Sequence, residues 1–371
     1  MSADVVSADV ASADVAPASG DDELARQRPV LVTGGGGFLG GALVDALLAR
    51  GLRVRSFARG AYPGLTAKGV DVLRGDLADA DAVSEAAVGC SAVFHVAAKA
   101  GIWGRAADFH AANVVGTAHV IAACRSHGIG RLIYTSTPSV VQTSAAIEGG
   151  DESLAYADPP LTHYGHTKAL AERAVLAANG AGLCTVALRP RLIWGPGDTQ
   201  LLPRMVARSR AGRLRRVGPV DPLIDAVYID NAVDAHLLAY DRLAPEATCA
   251  GRAYFVTQGE PIGMYQLLDA MLAAVGEPPV TRSVPRWLAR AAGTVFEPVW
   301  RALGRDDDPP MTRFLAIQLS TANWFDIGAA RRDLGFAAQV DTAEGLRRLA
   351  RWWQVERAAA SPAGSAPGPA G

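Results

Sequence analysis

Residues 29–41 read PVLVTGGGGFLGG. Pro29 to Thr33 make a short apolar run of strand length. From Phe38 to Arg50 the chain carries helical spacing in Phe38, Leu39, Ala42, Leu43, Ala46 and Leu47. Between them lie four consecutive glycines, and Gly34, Gly37 and Gly40 stand three apart. A strand that turns at once into a helix aims the helix's first free N–H groups, and the positive end of its dipole, at one point. Glycine lets the backbone turn sharply there and lets a pyrophosphate approach without meeting a Cβ. A glycine-rich loop alone signifies little. With a strand before it and an amphipathic helix after it, it meets the condition for a dinucleotide-binding turn, with the pyrophosphate over Gly37, Phe38 and Leu39.

Outward from this turn the pattern alternates. Strand-like runs at 53–58, 70–74, 92–96, 131–136 and 183–189 are separated by helical runs near 79–88, 106–127 and 162–179. Such alternation predicts an α/β fold, a Rossmann-type doubly wound parallel sheet whose ligands sit at the carboxyl ends of the strands. Residues 29–194 are expected to form the nucleotide-binding domain. Residues 195–357 are expected to form mainly a smaller C-terminal substrate-binding lobe, with some segments returning to the first domain. Ser-Ala-Asp-Val recurs at 2–5, 7–10 and 12–15, so 1–28 reads as a disordered low-complexity tail, as does the Pro/Gly/Ala/Ser-rich 358–371.

With 371 residues, half of them hydrophobic, the chain has ample material for a large core. A net charge of −1 gives no electrostatic reason to expect nucleic acid, and the basic run 204–216 reads as the solvated side of a helix. Cys90, Cys124, Cys184 and Cys249 form no metal or redox spacing, so reduced thiols in a cytoplasmic protein, and no metal, are expected. No secretory signal and no apolar run of membrane-spanning length is visible. Residues 285–303 are patchily amphipathic, with Pro298 in the middle. Packing onto the substrate lobe, or lining a pocket, is preferred for them over contact with a membrane surface.

The end of the second strand chooses between dinucleotides. NAD-selective sites place an acid there for the ribose, whereas a 2′-phosphate needs a cation. Here the strand ends Ser56-Phe57-Ala58-Arg59 with no acid, so Arg59, joined by Arg55, is expected to pair with the phosphate of NADPH or NADP+. The other reading of Arg59 is the start of a surface loop. Asp76 and Leu77, after the third strand, are placed to meet the adenine, and Asp76 also suits a helix N-cap. Ala97 and Ala98, after the fourth, offer small side chains beside a passing cofactor. Asn113, a poor helix former inside a long helical run, suits a functional or backbone-bridging role as well as an exposed one.

The fifth strand closes on the hydroxyl run Tyr134-Thr135-Ser136-Thr137-Pro138-Ser139, and Tyr164-Gly165-His166-Thr167-Lys168 follows later. Tyr and Lys four apart share a helix face. An ammonium near a phenol favours the phenolate and brings its pKa down toward working pH. A Tyr-x-x-x-Lys spacing is common, but after a glycine turn and a hydroxyl cluster it becomes specific.

Gly34, Gly37, Gly40, Thr137, Tyr164 and Lys168 resemble the extended short-chain dehydrogenase/reductase family, over about residues 29–355. The resemblance implies that Tyr164 is the general acid/base, that Lys168 orients cofactor and Tyr164, and that Thr137 holds the substrate oxygen. Sugar-nucleotide 4,6-dehydratases carry Asp-Glu directly after the equivalent Thr. Pro138-Ser139 stand here, which disfavours that chemistry. The stretches 135–140, 309–314 and 323–326 resemble the 3β-hydroxysteroid and sterol-4-carboxylate dehydrogenase branch. Residues 95–104 (HVAAKAGIWG) and 122–132 (AACRSHGIGRL) look more like the reductases of bacterial long-chain olefin biosynthesis.

That branch implies NADPH-dependent reduction of a long-chain 2-alkyl-3-ketoacid to the 2-alkyl-3-hydroxyacid. It also implies a homodimer paired through the helices at 106–127 and 162–179, and assembly with β-lactone-forming and decarboxylating enzymes. Such a substrate needs an apolar cleft and a cation for its carboxylate. Lys99 and Arg191, each just after a strand, are the nominated cations, and Trp103 a further substrate contact. Two alternatives stand beside this reading: a 3β-hydroxysteroid or sterol-carboxylate dehydrogenase, and an NADP-sensing regulator without turnover. The Tyr–Lys pair favours an enzyme.

Overall fold

The computed structural model describes residues 28–360 apart from Ala181. Its central sheet contains β1 (Val30–Thr33), β2 (Val54–Ala58), β3 (Asp71–Arg74), β4 (Ala92–His95) and β5 (Arg131–Thr135), joined by the strands Cys184–Pro190 and Arg252–Val256. All pairings in it are parallel, in the order Arg252–Val256, Cys184–Pro190, β5, β4, β1, β2, β3. The inner strands β1 and β4 are buried at every position because both faces are covered, whereas the edge strand β3 leaves Asp71 and Arg74 exposed. Val30 and Val32 enter the core on one face, and Leu31 enters the core on the other with Val93 and Leu132. The strand order reverses between β1 and β4, which is where a doubly wound sheet opens a crevice for a ligand.

The first helix spans Phe38–Ala49 and packs on the helix Ile229–Arg242. The helical stretch expected at 106–127 is one continuous run with a wider turn inside it. Ala106–Phe109 leads into a π-type segment His110–Val115, then Gly116–Ser126. Each expected strand and helix of the alternating series is present to within a residue or two. The seventh strand, Arg252–Val256, comes from far along the chain and extends the sheet beyond the six strands that the series contains.

A second, four-stranded sheet gathers Ile147–Gly150, Asn323–Phe325, Leu223–Ile224 and Ile262–Gly263. The helix Arg286–Ala302 packs Ala289, Gly293 and Glu297 inward, against the helix Arg313–Gln318. A Cβ on Gly293 would lie 2.4 Å from the Arg313 nitrogen, so only glycine allows the two chains to approach this closely. Residues 1–27 and 361–371 of the expected tails lie outside the described residues. Arg28 donates to the carbonyls of Gly89 and Cys90, and the last helix, Thr342–Ala360, runs past residue 358.

Candidate active site

The turn after β1 is tied by backbone bonds from Gly34 to Phe57 (2.8 Å) and from Gly37 to Gly34 (2.9 Å). Gly34 has φ +74°, which favours glycine. A Cβ on Gly40 would fall 2.1 Å from the Gly34 oxygen, and one on Gly34 would fall 3.0 Å from Ala97. Gly37 is the N-cap, so the first N–H groups of the helix, those of Phe38 and Leu39, emerge beside a residue with no side chain. A bare helix N-terminus at the switch point of the sheet fits a pyrophosphate. Tyr62 closes one side of it, its ring filling the space that a Cβ on Gly36 would need.

Arg59 is exposed at the end of β2 and has no ion-pair partner among the described residues. The Arg74 side chain, at the end of β3, reaches the Arg59 carbonyl at 3.5 Å. Arg55 does not join them. Its guanidinium bonds Asp71 (2.7 Å) and the carbonyls of Ala86 and Val88, because the side chain lies against the neighbouring helix end. Asp76 is exposed and accepts the N–H of Ala78 (3.0 Å), which folds the loop after β3, and Leu77 is buried beside it.

β4 ends in a buried relay. The Thr33 hydroxyl accepts the N–H groups of Val96 and Ala97 (3.1 Å each), so its proton faces His95 Nδ1 at 2.8 Å. His95 Nε2 then donates to Thr117 Oγ1 (3.0 Å), which donates to the Asn113 carbonyl (2.6 Å). Burial, reinforced by the Lys168 charge, pushes the His95 pKa down to about 3 and keeps the ring neutral. The Asn113 side chain grips both backbone groups of Lys99 (2.7 and 3.1 Å) and the Thr167 hydroxyl (3.0 Å). One buried amide therefore fixes the loop carrying Ala97, Ala98 and Lys99 against the Tyr164–Lys168 helix.

That helix spans His163–Ala177 and is capped by Thr162, which accepts the Gly165 N–H. Tyr164 is half-buried, and the Thr137 hydroxyl, which donates to Ser139 Oγ (3.3 Å), faces it from the end of β5. Burial raises the Tyr164 pKa, and the nearby Thr137 hydroxyl only partly offsets this. The expected lowering by the neighbouring ammonium is absent because Lys168 is engaged elsewhere. Its Nζ donates to the Thr135 carbonyl (2.6 Å) and lies 4.0 Å from the centre of the Tyr134 ring. Burial lowers the Lys168 pKa to about 7, against the pull of Glu172. Glu172, one turn on, is fully buried and held bidentately by Arg189 (3.0 and 2.6 Å) and by the Tyr156 hydroxyl (2.7 Å).

Tyr164 opens onto a cleft of about 780 Å³. Its walls come from Trp103 and Phe109, from the 160–166 loop and helix start, and from Trp300, Arg301, Phe314 and Ile317. Of the three nominated substrate contacts, Trp103 lines it, under the Arg301 guanidinium (5.1 Å). Lys99 faces Asp108 at 3.6 Å. Arg191 is held by two neutral amide oxygens, those of Asn323 (3.0 Å) and Gln318 (2.9 Å), and burial lowers its pKa to about 10. Leu192 beside it adopts φ +42°, a turn that swings the chain off the strand Cys184–Pro190.

Glu172, Tyr62, Arg74 and the His95 relay are not nominated by the sequence reading. Glu172 had a signal, since it stands four residues after Lys168 and shares its helix face. Tyr62 meets the turn, and Arg74 meets Arg59, only through folding, and no local spacing marks them.

The sequence pattern of the 3-beta hydroxysteroid dehydrogenase/isomerase family matches residues 31–282. The chain is 53% identical over 322 residues to the 2-alkyl-3-oxoalkanoate reductase of Stenotrophomonas maltophilia, covering 86% of this chain and 98% of that one. It is 48% identical over 334 residues to the protein of the same name from Shewanella oneidensis, covering 88% of this chain and 86% of that one. Among solved structures, a double mutant of DesIV, a dTDP-glucose 4,6-dehydratase from Streptomyces venezuelae, superposes with a TM-score of 0.69 at 24% identity. That match covers 89% of this chain and 98% of that one, and shares the fold alone. With its glycine turn, parallel sheet and Tyr–Lys helix, the chain belongs to the 3-beta hydroxysteroid dehydrogenase/isomerase family.

Proposed function

We propose that this protein is an NADPH-dependent 2-alkyl-3-oxoalkanoate reductase, converting 2-alkyl-3-oxoalkanoic acids into 2-alkyl-3-hydroxyalkanoic acids for long-chain olefin formation. One observation carries the chemistry. Tyr164, beside Thr137, lines the open cleft, where a pair of hydroxyls can hold a ketone oxygen and the phenol can pass it a proton.

Bound NADPH supplies the hydride for C3. Gly34, Gly37 and Gly40, with the N–H groups of Phe38 and Leu39, hold the pyrophosphate. Arg59, joined by Arg74 in place of the engaged Arg55, takes the 2′-phosphate. Asp76, Leu77, Ala97 and Ala98 border the nucleotide, and Lys168 orients it. Thr137 and Tyr164 hold the ketone oxygen. Trp103 contacts the alkyl arms, and Arg191 is the better carboxylate partner of the two nominated cations. Its hydrogen bonds go to uncharged amides, with buried Asp225 a more distant attraction, whereas Lys99 is directly paired with Asp108.

The 48–53% relatives support this substrate class over the steroid reading. We also read the protein as a cytoplasmic homodimer, paired through the helices Gly116–Ser126 and His163–Ala177, that works beside β-lactone-forming and decarboxylating enzymes. The deciding assay runs in reverse, because free β-ketoacids decarboxylate. Purified protein with NADP+ should form NADPH from synthetic 2-alkyl-3-hydroxyalkanoic acids, and should do so more slowly with NAD+ or with a 3β-hydroxysteroid. Turnover of the steroid alone would transfer the assignment to the steroid branch.

A further inference from the structure

The helix Arg286–Ala302 presents its apolar side to solvent. Trp287, Leu288, Val295, Val299 and the C-capping Leu303 are 70, 44, 59, 42 and 64% exposed. Five of the nine exposed large hydrophobics among the described residues therefore sit on this one element, whereas scattered apolar residues are the norm on a soluble surface. Trp287, Ala291, Val295, Val299 and Leu303 recur every fourth residue, so each stands about 40° around the helix from the last and together they wind over its exposed side as one apolar ridge.

The stripe cannot rotate inward, because the opposite face is pinned. Gly293 lies against the Arg313 backbone, and Glu297 accepts the Arg313 N–H (2.8 Å) and its guanidinium (3.0 Å). Arg282, Arg286 and Arg290 surround the helix's first half and form no ion pair with a described acidic side chain. The same helix borders the cleft: Glu297, Trp300 and Arg301 line it, with Gly304 and Arg305 just beyond. Among the described residues no helix is long and apolar enough to cross a membrane. An outward apolar stripe flanked by arginines, with a tryptophan near its start, has the composition of a helix lying in a headgroup layer.

We propose that this face docks the protein on an anionic phospholipid bilayer and so brings the mouth of the cleft to the lipid surface. Docking stands on the helix alone. The purpose of docking, loading a two-armed alkyl substrate directly from lipid, rests on the reductase reading. The arginines select the bilayer over a neutral apolar partner, since they complement phosphate headgroups while the stripe enters the acyl boundary.

The test is flotation of the full chain with phosphatidylcholine–phosphatidylglycerol vesicles and with phosphatidylcholine vesicles. Wild type should float with the anionic vesicles and release as salt rises. The double variant Val295→Glu/Val299→Glu should partition at least about tenfold more weakly, since two apolar side chains no longer leave water. Arg290→Glu should weaken binding to anionic vesicles more than to neutral ones. Both variants should oxidise a short-chain, water-soluble 3-hydroxyacid with NADP+ at the wild-type rate.

Failure of wild type to float, or equal flotation of wild type and the double variant, would overturn the proposal. So would a soluble oligomer that the double variant dissociates without vesicles, because a second copy would then occupy the face. Flotation without hydroxyacid turnover would leave docking intact and remove the reductase reading, and turnover without flotation would do the reverse.

Discussion

At the carboxyl end of β1 the chain makes room by omission. Gly34, Gly36, Gly37 and Gly40 each stand where a Cβ would meet backbone, a ring or an incoming phosphate, and the helix N-terminus supplies polarity without a side chain. The cleft above Tyr164 is built by addition. Trp103, Phe109, Trp300, Arg301 and Phe314 arrive from three separated stretches and touch only after folding. The first region tolerates almost no change of shape and is general for dinucleotides. The second can be resized residue by residue, which is how one scaffold serves steroids, sugars or ketoacids.

Tyr164 lines the cleft, and the proposed reaction needs it to act beside a cofactor held by the glycine turn, so its removal is the severest test of their cooperation. Tyr164→Phe should lower kcat by about 10²- to 10⁴-fold, the usual worth of a positioned proton donor, while cofactor affinity measured by fluorescence titration stays within about twofold. A joint loss of kcat and cofactor binding would mean that the two regions are not separable at this residue.

The contrast also explains what the sequence made legible. The turn is contiguous, its physics is backbone physics, and spacing alone located Gly34, Gly37 and Gly40. The Tyr164–Lys168 pair was legible as one face of one helix. The direction of the Tyr164 shift was not, because it depends on where the Lys168 ammonium goes, and the Thr135 carbonyl claims it through packing. Arg55 was misread for a related reason. It stands four residues before Arg59, at the start of β2 rather than its carboxyl end, where the register sets it opposite Asp71 and within reach of the Ala86 carbonyl. The helix Arg286–Ala302 showed its amphipathic pattern in the sequence, but a pattern cannot say which face the protein covers. A glycine at 293, packed on Arg313, settles that.

A smaller effect probes the glycine turn. Gly40→Ala places a Cβ 2.1 Å from a backbone oxygen that has no side-chain freedom to yield. Overpacking of this kind costs about 1–3 kcal/mol. Thermal denaturation should show that loss, and NADPH affinity should fall about 10- to 100-fold as the turn opens. A comparable truncation in the cleft, Phe314→Ala, should leave cofactor affinity untouched and alter only the KM for long-chain acids. Equal cofactor effects from both variants would break the contrast between the two regions.

The smallest expected effect concerns the charge of Lys168 and separates two roles for it. Tyr164 is shifted upward, so its phenol does not titrate near neutrality, whereas Lys168 titrates at about 7. If the ammonium steadies the phenolate that forms as Tyr164 gives up its proton, kcat for reduction should fall as pH rises through about 7. The Glu172 charge raises the Lys168 pKa, so Glu172→Gln should move that limb to lower pH by about one unit.

The same residue leaves a mark on stability, with the sign fixed by linkage. Between about 7 and its ordinary 10.5 the unfolded chain holds a proton on Lys168 that the folded chain does not. This group's contribution therefore favours folding increasingly as pH rises across that window, in the opposite sense to the rate. A flat rate through pH 7 combined with the stability trend would make Lys168 only a tie to the Thr135 carbonyl. A falling rate that Glu172→Gln displaces would place its charge in the chemistry.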